Sequence, residues 1–137
     1  IGAALVGEHV AKEIFPGDHG TTYGGNLLST RAALHVLERI ESLASSIKET
    51  SSVFEQKLLG LQQKHHVVTS VRGAGLMRGL ELAVDAQPVV EGALKAGLLV
   101  NRTAERVVRM LPPLTVTAEE IEEGVGMLDS ALAGLTP

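Results

Sequence analysis

The spacing of apolar residues changes once along this chain of 137 residues, and that change limits the folds it can adopt. Before His65, apolar side chains recur every three or four residues, as at Leu37, Ile40 and Ala44, and this period predicts helix. After His66 the period falls to two in VVTSVR and LMRGLELA, which GAG separates. These two stretches predict a β-hairpin, so the chain combines helices with a sheet.

The helical half predicts two consecutive helices after a short apolar segment that Pro16 and Gly17 interrupt. Asn26 is placed to cap the first helix, because its side chain can accept from a free amide of the first turn. Ser42 is placed to cap a second helix. We therefore expect helices near 27–41 and 43–64.

The second half predicts a short helix, another strand pair and a last helix. Pro88 suits the first turn of a helix that Gly97 ends, and LLVNRT with VVRMLPP predicts two strands. Thr117 and Glu120 have the spacing of a capping box before the last apolar stripe. The predicted order is α-α-β-β-α-β-β-α, an α+β fold whose small antiparallel sheet carries helices on one face.

Charge and cysteine content narrow the class of function. The 12 Lys and Arg against 16 Asp and Glu give a net charge of -4, which argues against a nucleic-acid surface. The chain has no cysteine, so it can form neither a disulfide nor a thiolate metal site, and an intracellular location is favoured. No apolar run reaches the length of a membrane span. We expect small molecules or proteins as partners.

The loop PGDHGTTYGGN, residues 16–26, combines four glycines with two adjacent threonines. Glycine lets backbone amides approach a ligand closely, and Thr21 and Thr22 add hydroxyl groups just before a helix start. These are the components of an anion or phosphate site. A tight surface loop that uses the same residues for turn geometry is an equally good interpretation of the spacing.

Arg109 is the second candidate, because strand alternation places it on the face of Val107 and Leu111. A guanidinium between two aliphatic residues requires a partner, and its planar fork suits a carboxylate. The alternative is that it reaches the sheet edge or pairs with a structural glutamate. The five histidines lack metal-ligand spacing, so we predict no metal site. Arg72 and Arg78, which flank the hairpin glycines, are interpreted equally well as rim charges or as ligands.

Four segments together resemble the class III aminotransferases, which belong to the pyridoxal-phosphate fold type I group. They are IGA, PGDHGTTYGGN, VRGAGLMRGLEL and GLLVNRTAERVVRMLPPLTVTAEEIEEGVGMLDSAL. The resemblance implies three parts: a remnant of the large cofactor-binding domain over 1–25, connecting helices over 26–64 and a small C-terminal domain over 65–137.

The same resemblance implies roles for the candidate residues. Thr22 would donate to the phosphate of pyridoxal phosphate in the neighbouring subunit of a homodimer, and Thr21 would lie beside the substrate. Arg109 would bind the substrate α-carboxylate. The implied reaction moves the δ-amino group of N-acetylornithine to 2-oxoglutarate, in arginine biosynthesis. Ornithine, succinylornithine or 4-aminobutyrate are the alternative amino donors.

The lysine that holds the cofactor has no counterpart here, since family members carry it upstream of the segment matching IGA. The chain's five lysines match no catalytic position: Lys12, Lys48, Lys57, Lys64 and Lys95. We therefore expect the C-terminal portion of an enzyme, inactive alone, whose first residue is Ile1 rather than Met. The expected location is the cytoplasm, or the mitochondrial matrix in a eukaryote. A free-standing ligand-binding or dimerisation module is the alternative from another class.

Overall fold

The computed structural model describes residues 1–135, which divide into two compact units, Ile1–Ser42 and a second beginning at Leu43. The described elements are α1 (Glu8–Ala11), α2 (Leu27–Lys64), β1 (Val68–Ala74), β2 (Met77–Leu82), α3 (Gln87–Lys95), β3 (Asn101–Thr103), β4 (Val107–Met110) and α4 (Ala118–Ala133). From β1 onward this is the predicted order. Among the described helices, none is long and apolar enough to cross a membrane.

Helix α2 corrects the prediction of two helices, because it runs without a break for 38 residues. Asn26 caps its start as predicted, since Asn26 Oδ1 accepts from the Ser29 amide at 3.0 Å. Ser42 does not begin a new helix; its hydroxyl donates to the Arg39 carbonyl of the preceding turn at 2.7 Å. A serine inside a helix can be accommodated by this back-bonding, so its presence did not require a boundary.

The second unit contains a four-stranded antiparallel sheet in the order β1-β2-β4-β3. Both predicted hairpins are confirmed. The first turn depends on Gly73, whose φ is +132° and whose missing Cβ would lie 2.1 Å from the Met77 carbonyl oxygen. The second turn places two non-glycine residues, Ala104 and Glu105, at φ of 46° and 61°, a left-handed conformation that costs L-residues energy.

One face of the sheet packs on helices and the other does not. The core face carries Leu80 and Val108, both 0% exposed. Buried residues of α2, α3 and α4 complete this core: Phe54, Leu58, Leu61, Val89, Ile121, Val125, Leu128 and Leu132. The predicted α+β class, with helices on one face of a small sheet, is therefore confirmed.

Two predicted helix starts and one helix end in this unit are also confirmed. Thr117 and Glu120 form both bonds of the capping box at the start of α4, at 3.2 and 2.9 Å. Pro88 lies in the first turn of α3, and Gly97 follows its end with φ of +93°. Local sequence signals thus determine where α3 and α4 lie against the sheet.

Candidate functional site

Thr21 and Thr22 lie in an exposed loop of the first unit, immediately before α2. The Thr21 hydroxyl accepts from the Tyr23 amide at 3.4 Å, and its carbonyl accepts from the Gly24 amide at 3.3 Å. Gly24 has no room for a side chain, because an added Cβ would lie 2.5 Å from Thr21 Cγ2. Gly25 turns the chain into the helix with φ of +69°. The loop is therefore built around Thr21.

Thr22 differs from Thr21 in that its hydroxyl has no hydrogen-bond partner among residues 1–135. Within the same part of the chain, the Thr22 and Gly25 amides also have no backbone or side-chain acceptor. These donors lie next to the N-terminus of a 38-residue helix, where the aligned backbone dipoles favour an anion. The loop can thus offer a hydroxyl and amides to a phosphate group.

Arg109 lies on β4 in the second unit, on the face of the sheet away from the helices. Its neighbours in the strand, Val108 and Met110, are buried on the core face, whereas Arg109 is exposed. We call the side that bears Arg109 the open face. The strand alternation predicted from the sequence is confirmed, and the charged group points away from the core.

A row of directly paired residues crosses the open face: Arg72 on β1, Gly79 on β2, Arg109 on β4 and Asn101 on β3. Arg72 lies 3.6 Å from the Glu81 carboxylate, so part of its charge is compensated. Among the described residues, Arg109 has no ion-pair partner. Gly79 is buried, and an added Cβ there would lie 3.1 Å from Val107 Cγ1 on the same face, so the free surface in this row belongs to the exposed Arg109 and Asn101. This combination fits a binding group for an external carboxylate.

Arg78 is a buried polar residue that the sequence interpretation left undecided, and its surroundings exclude a ligand role. It is 5% exposed and lies on the core face. Its three nitrogens make five hydrogen bonds, to the Glu55 carboxylate, the Ser51 hydroxyl and the carbonyls of Gly73 and Gly75. An arginine has five N–H donors, so none is left for a substrate. The signal that could have identified it is its alternation with two buried leucines of β2.

The end of α2 is joined to α4 by a second charged group. Asp129 accepts from Lys64 at 2.5 Å, and His65 Nε2 lies 2.5 Å from its other oxygen. Hydrogen bonds from Lys64 and then His65 hold the pKa of Asp129 below its usual range. Sequence spacing gave no sign of this cluster, because its partners are 64 and 65 residues apart. Its function is structural.

Some of the lysine side chains form ion pairs. Lys12 pairs with Glu8 at 2.9 Å and Lys57 with Glu122 at 2.5 Å. No group of three His, Asp or Glu among residues 1–135 is arranged to hold a metal ion.

A cavity of about 310 Å³ between α2, α4 and the chain after β4 is one of several recesses of the second unit. Its walls are apolar, as at Phe54, Leu98 and Val116. Its one charged residue, Glu120, is already bonded to the Thr117 amide. An apolar recess without a free polar group cannot orient a charged substrate, so Arg109 remains the stronger site.

The described geometry offers two candidate anion-binding groups, the loop at Thr22 and the guanidinium of Arg109, and comparison with known proteins identifies the family. The family model described as aminotransferase class-III matches residues 1–132. The chain belongs to the class-III aminotransferases.

Curated relatives that match the chain include acetylornithine aminotransferases. The acetylornithine aminotransferase of Clostridium acetobutylicum is 38% identical over 135 residues, covering 96% of this chain and 35% of that protein. The mitochondrial acetylornithine aminotransferase of Neurospora crassa is 42% identical over 134 residues, covering 96% and 29%. The chain spans about a third of the length of these relatives and matches their C-terminal part.

Solved structures agree on the fold. Acetylornithine aminotransferase from Elizabethkingia anophelis superposes with a TM-score of 0.84 at 25% identity, covering 96% of this chain and 34% of that one. Ornithine δ-aminotransferase of Plasmodium falciparum superposes with a TM-score of 0.85 at 28% identity, covering 94% and 34%. Two substrate specificities therefore share this architecture, and the fold alone does not choose between them.

Proposed function

We propose that this chain is the C-terminal part of a pyridoxal-phosphate-dependent aminotransferase that transfers the δ-amino group of N-acetylornithine to 2-oxoglutarate. The observation that carries the proposal is Arg109, an exposed guanidinium without an ion-pair partner in residues 1–135, on the open face of a sheet whose other face is packed. 2-Oxoglutarate carries an α-carboxylate next to its reacting oxo group, and this fork would bind that carboxylate with two parallel hydrogen bonds.

The loop before α2 fits the phosphate of the cofactor. Thr22 contributes a free hydroxyl, and the Thr22 and Gly25 amides contribute N–H donors beside a helix N-terminus. When bound, pyridoxal phosphate supplies the electron sink for amino-group transfer. We propose that the phosphate contact is made across a homodimer interface and that Thr21 borders the substrate. The lysine that holds the cofactor then lies in the part of the protein that precedes this chain.

The contributions of this chain are therefore binding and orientation. Arg109 would hold the α-carboxylate of 2-oxoglutarate, which fixes the position of the reacting oxo group on the adjacent carbon. Fixing this geometry lowers the entropic part of the barrier. Packing of β4 against the core on its other face restricts the backbone that carries the guanidinium.

Preference for N-acetylornithine over ornithine, succinylornithine or 4-aminobutyrate is the finer part of the proposal. It is supported by relatives at about 40% identity that are named acetylornithine aminotransferases. The proposed location is the cytoplasm, or the mitochondrial matrix in a eukaryote, and the second is supported by relatives that are named mitochondrial. Substrate profiling of the complete protein with all four donors would separate these specificities, and a highest kcat/KM for another donor would refute this one.

The principal test replaces Arg109 by lysine in the complete protein. Loss of one bond of the fork costs about 1.5–3 kcal/mol, so kcat/KM for 2-oxoglutarate should fall about tenfold to a hundredfold. Arg106→Lys is the matched control, because Arg106 is an exposed arginine of the adjacent turn. If both variants keep full activity, Arg109 does not bind the substrate.

The phosphate contact is tested separately by Thr22→Val, which removes the hydroxyl and keeps the side-chain shape. The dissociation constant for pyridoxal phosphate should rise about tenfold or more, from the same cost of a charge-assisted bond. Equilibrium dialysis of the apoenzyme measures it without reference to turnover. Unchanged cofactor affinity would show that Thr22 does not bind the phosphate.

A further inference from the structure

Buried Arg78 and the atoms it bonds form a compact unit that joins helix α2 to the first hairpin. Its members, here called the Arg78 cluster, are Arg78, Glu55, Ser51 and the carbonyls of Gly73 and Gly75. Glu55 accepts from both terminal nitrogens, at 2.9 and 3.2 Å. Ser51 also donates to the Gly75 carbonyl at 3.0 Å. Helix and turn are thus bonded to the same guanidinium.

The position of this charge is unusual for the sheet. Its neighbours on the core face are apolar, among them Leu80, Val108 and Met110. Burying a guanidinium costs solvation free energy, and a well-packed apolar residue often stabilises a core as well as or better than a buried ion pair does. What the ion pair adds is direction, because five hydrogen bonds of fixed length and angle admit one placement of the strand on the helix.

That placement extends to the candidate carboxylate site through the backbone. Arg78 is paired with Met110 across β2 and β4, and the next pair in the ladder joins Gly79 to Arg109. The two arginines therefore belong to adjacent rungs and project from opposite faces. A shift of β2 along α2 would carry the β4 backbone with it and displace the Arg109 side chain.

We propose that Arg78 is a positioning residue for Arg109: the Arg78 cluster fixes the strand pair β2–β4 on α2 and thereby sets where the open-face guanidinium meets the substrate carboxylate. This inference rests on the proposed function, since it assumes that Arg109 binds that carboxylate. A displacement of about 1 Å can cost up to a hundredfold in rate. Partial loss of the cluster should therefore weaken recognition of the carboxylate before it unfolds the protein.

The experiment compares two amino acceptors on the complete enzyme with pyridoxal phosphate and N-acetylornithine. 2-Oxoglutarate and 4-oxobutanoate differ only by the α-carboxylate next to the reacting carbonyl, so their ratio of kcat/KM measures carboxylate recognition alone. Wild-type enzyme should prefer 2-oxoglutarate, and Arg109→Lys should lower that ratio about tenfold. Arg78→Lys, which keeps the charge but loses the fork, should lower it about threefold to tenfold.

Two further variants keep the test decisive. Glu55→Gln removes the charge on the helix and retains one acceptor, so it should lower the ratio in the same direction as Arg78→Lys. It replaces Arg78→Lys in the comparison if that variant fails to fold. Lys57→Gln is the control, because Lys57 lies on the same helix and this change breaks its exposed ion pair with Glu122, in which the two charged atoms are 2.5 Å apart. It should leave the ratio unchanged.

The outcomes separate the inference from the proposed function. If wild-type enzyme does not distinguish the two acceptors, or if Arg109→Lys leaves the ratio unchanged, the carboxylate assignment fails and the positioning role fails with it. If Arg109→Lys lowers the ratio while folded Arg78→Lys and Glu55→Gln do not, the proposed function stands and the positioning role is overturned. Equal loss of rate with both acceptors would also overturn it, because that pattern describes general damage rather than displacement of Arg109.

Discussion

Replacing Gly73 by alanine should destabilise the second unit far more than the same change at nearby Gly75. Gly73 has φ of +132°, a region that L-residues rarely adopt, and its added Cβ would lie 2.1 Å from the Met77 carbonyl oxygen. Such a backbone conformation costs about 1–3 kcal/mol by itself. Relief of the contact requires β1 to move from β2, which weakens the 3.3 Å bond from Arg78 to the Gly73 carbonyl. A bond of this charged type contributes about 1.5–3 kcal/mol.

The expected loss for Gly73→Ala is therefore about 3–5 kcal/mol in the free energy of unfolding. Gly75→Ala is the matched control, because φ is +56° and no atom lies within 4 Å of the added Cβ. The left-handed backbone conformation alone predicts that Gly75→Ala lowers the free energy of unfolding by about 1–2 kcal/mol. Urea unfolding of both variants at one protein concentration, with equal m-values, measures the difference. If Gly73→Ala costs no more than Gly75→Ala, the close approach in the hairpin does not exist as described.

Three further changes test other parts of the second unit. Gly126→Ala should stabilise by about 1 kcal/mol in urea unfolding, because Gly126 is exposed within α4 with open space around it. Glu105→Gly should stabilise by about 0.5–1 kcal/mol, since relief of left-handed strain exceeds the added chain entropy of glycine; destabilisation would contradict that comparison. Asp129→Asn should destabilise by about 1–2 kcal/mol at pH 7, with a difference that shrinks below about pH 4. The lowered pKa of Asp129 sets that sign, because its contribution is present above the unfolded pKa and is lost as the pH falls through the folded pKa. A pH-independent difference would exclude the ionic contribution of Lys64 and His65.

Local signals in the sequence predicted most of the sheet and its flanking caps. Alternation identified both hairpins, and the Thr117–Glu120 spacing identified the start of α4. The same kind of reasoning failed at Ser42, because a serine that can cap a helix can also bond backward within one. Side-chain competition of this kind depends on the energy of the whole helix rather than on one residue.

The sequence predicted the exposure of Arg109 but not the partners of the other charged residues. Exposure of Arg109 follows from alternation, since its neighbours in β4 are apolar and take the core. The bonds of Arg78 to Glu55 and of Asp129 to Lys64 were missed, because their partners lie 23 and 65 residues apart. Sequence indicates that a buried charge needs a partner, but tertiary folding selects which one.

Because side chains alternate along β4, substrate binding and core packing fall to different residues, whereas many binding sites require both from the same residues. Substitutions at Asn101 or Leu111, which are exposed and adjoin Arg109 in the sheet or the chain, alter the surroundings of a bound acid without removing atoms from the core. Substitutions at Val108 or Met110 would change the packing of the core and leave the surroundings of a bound acid unaltered. Substrate preference can therefore change during evolution by substitutions on one face of this strand, while the residues on its other face preserve the stability of the domain.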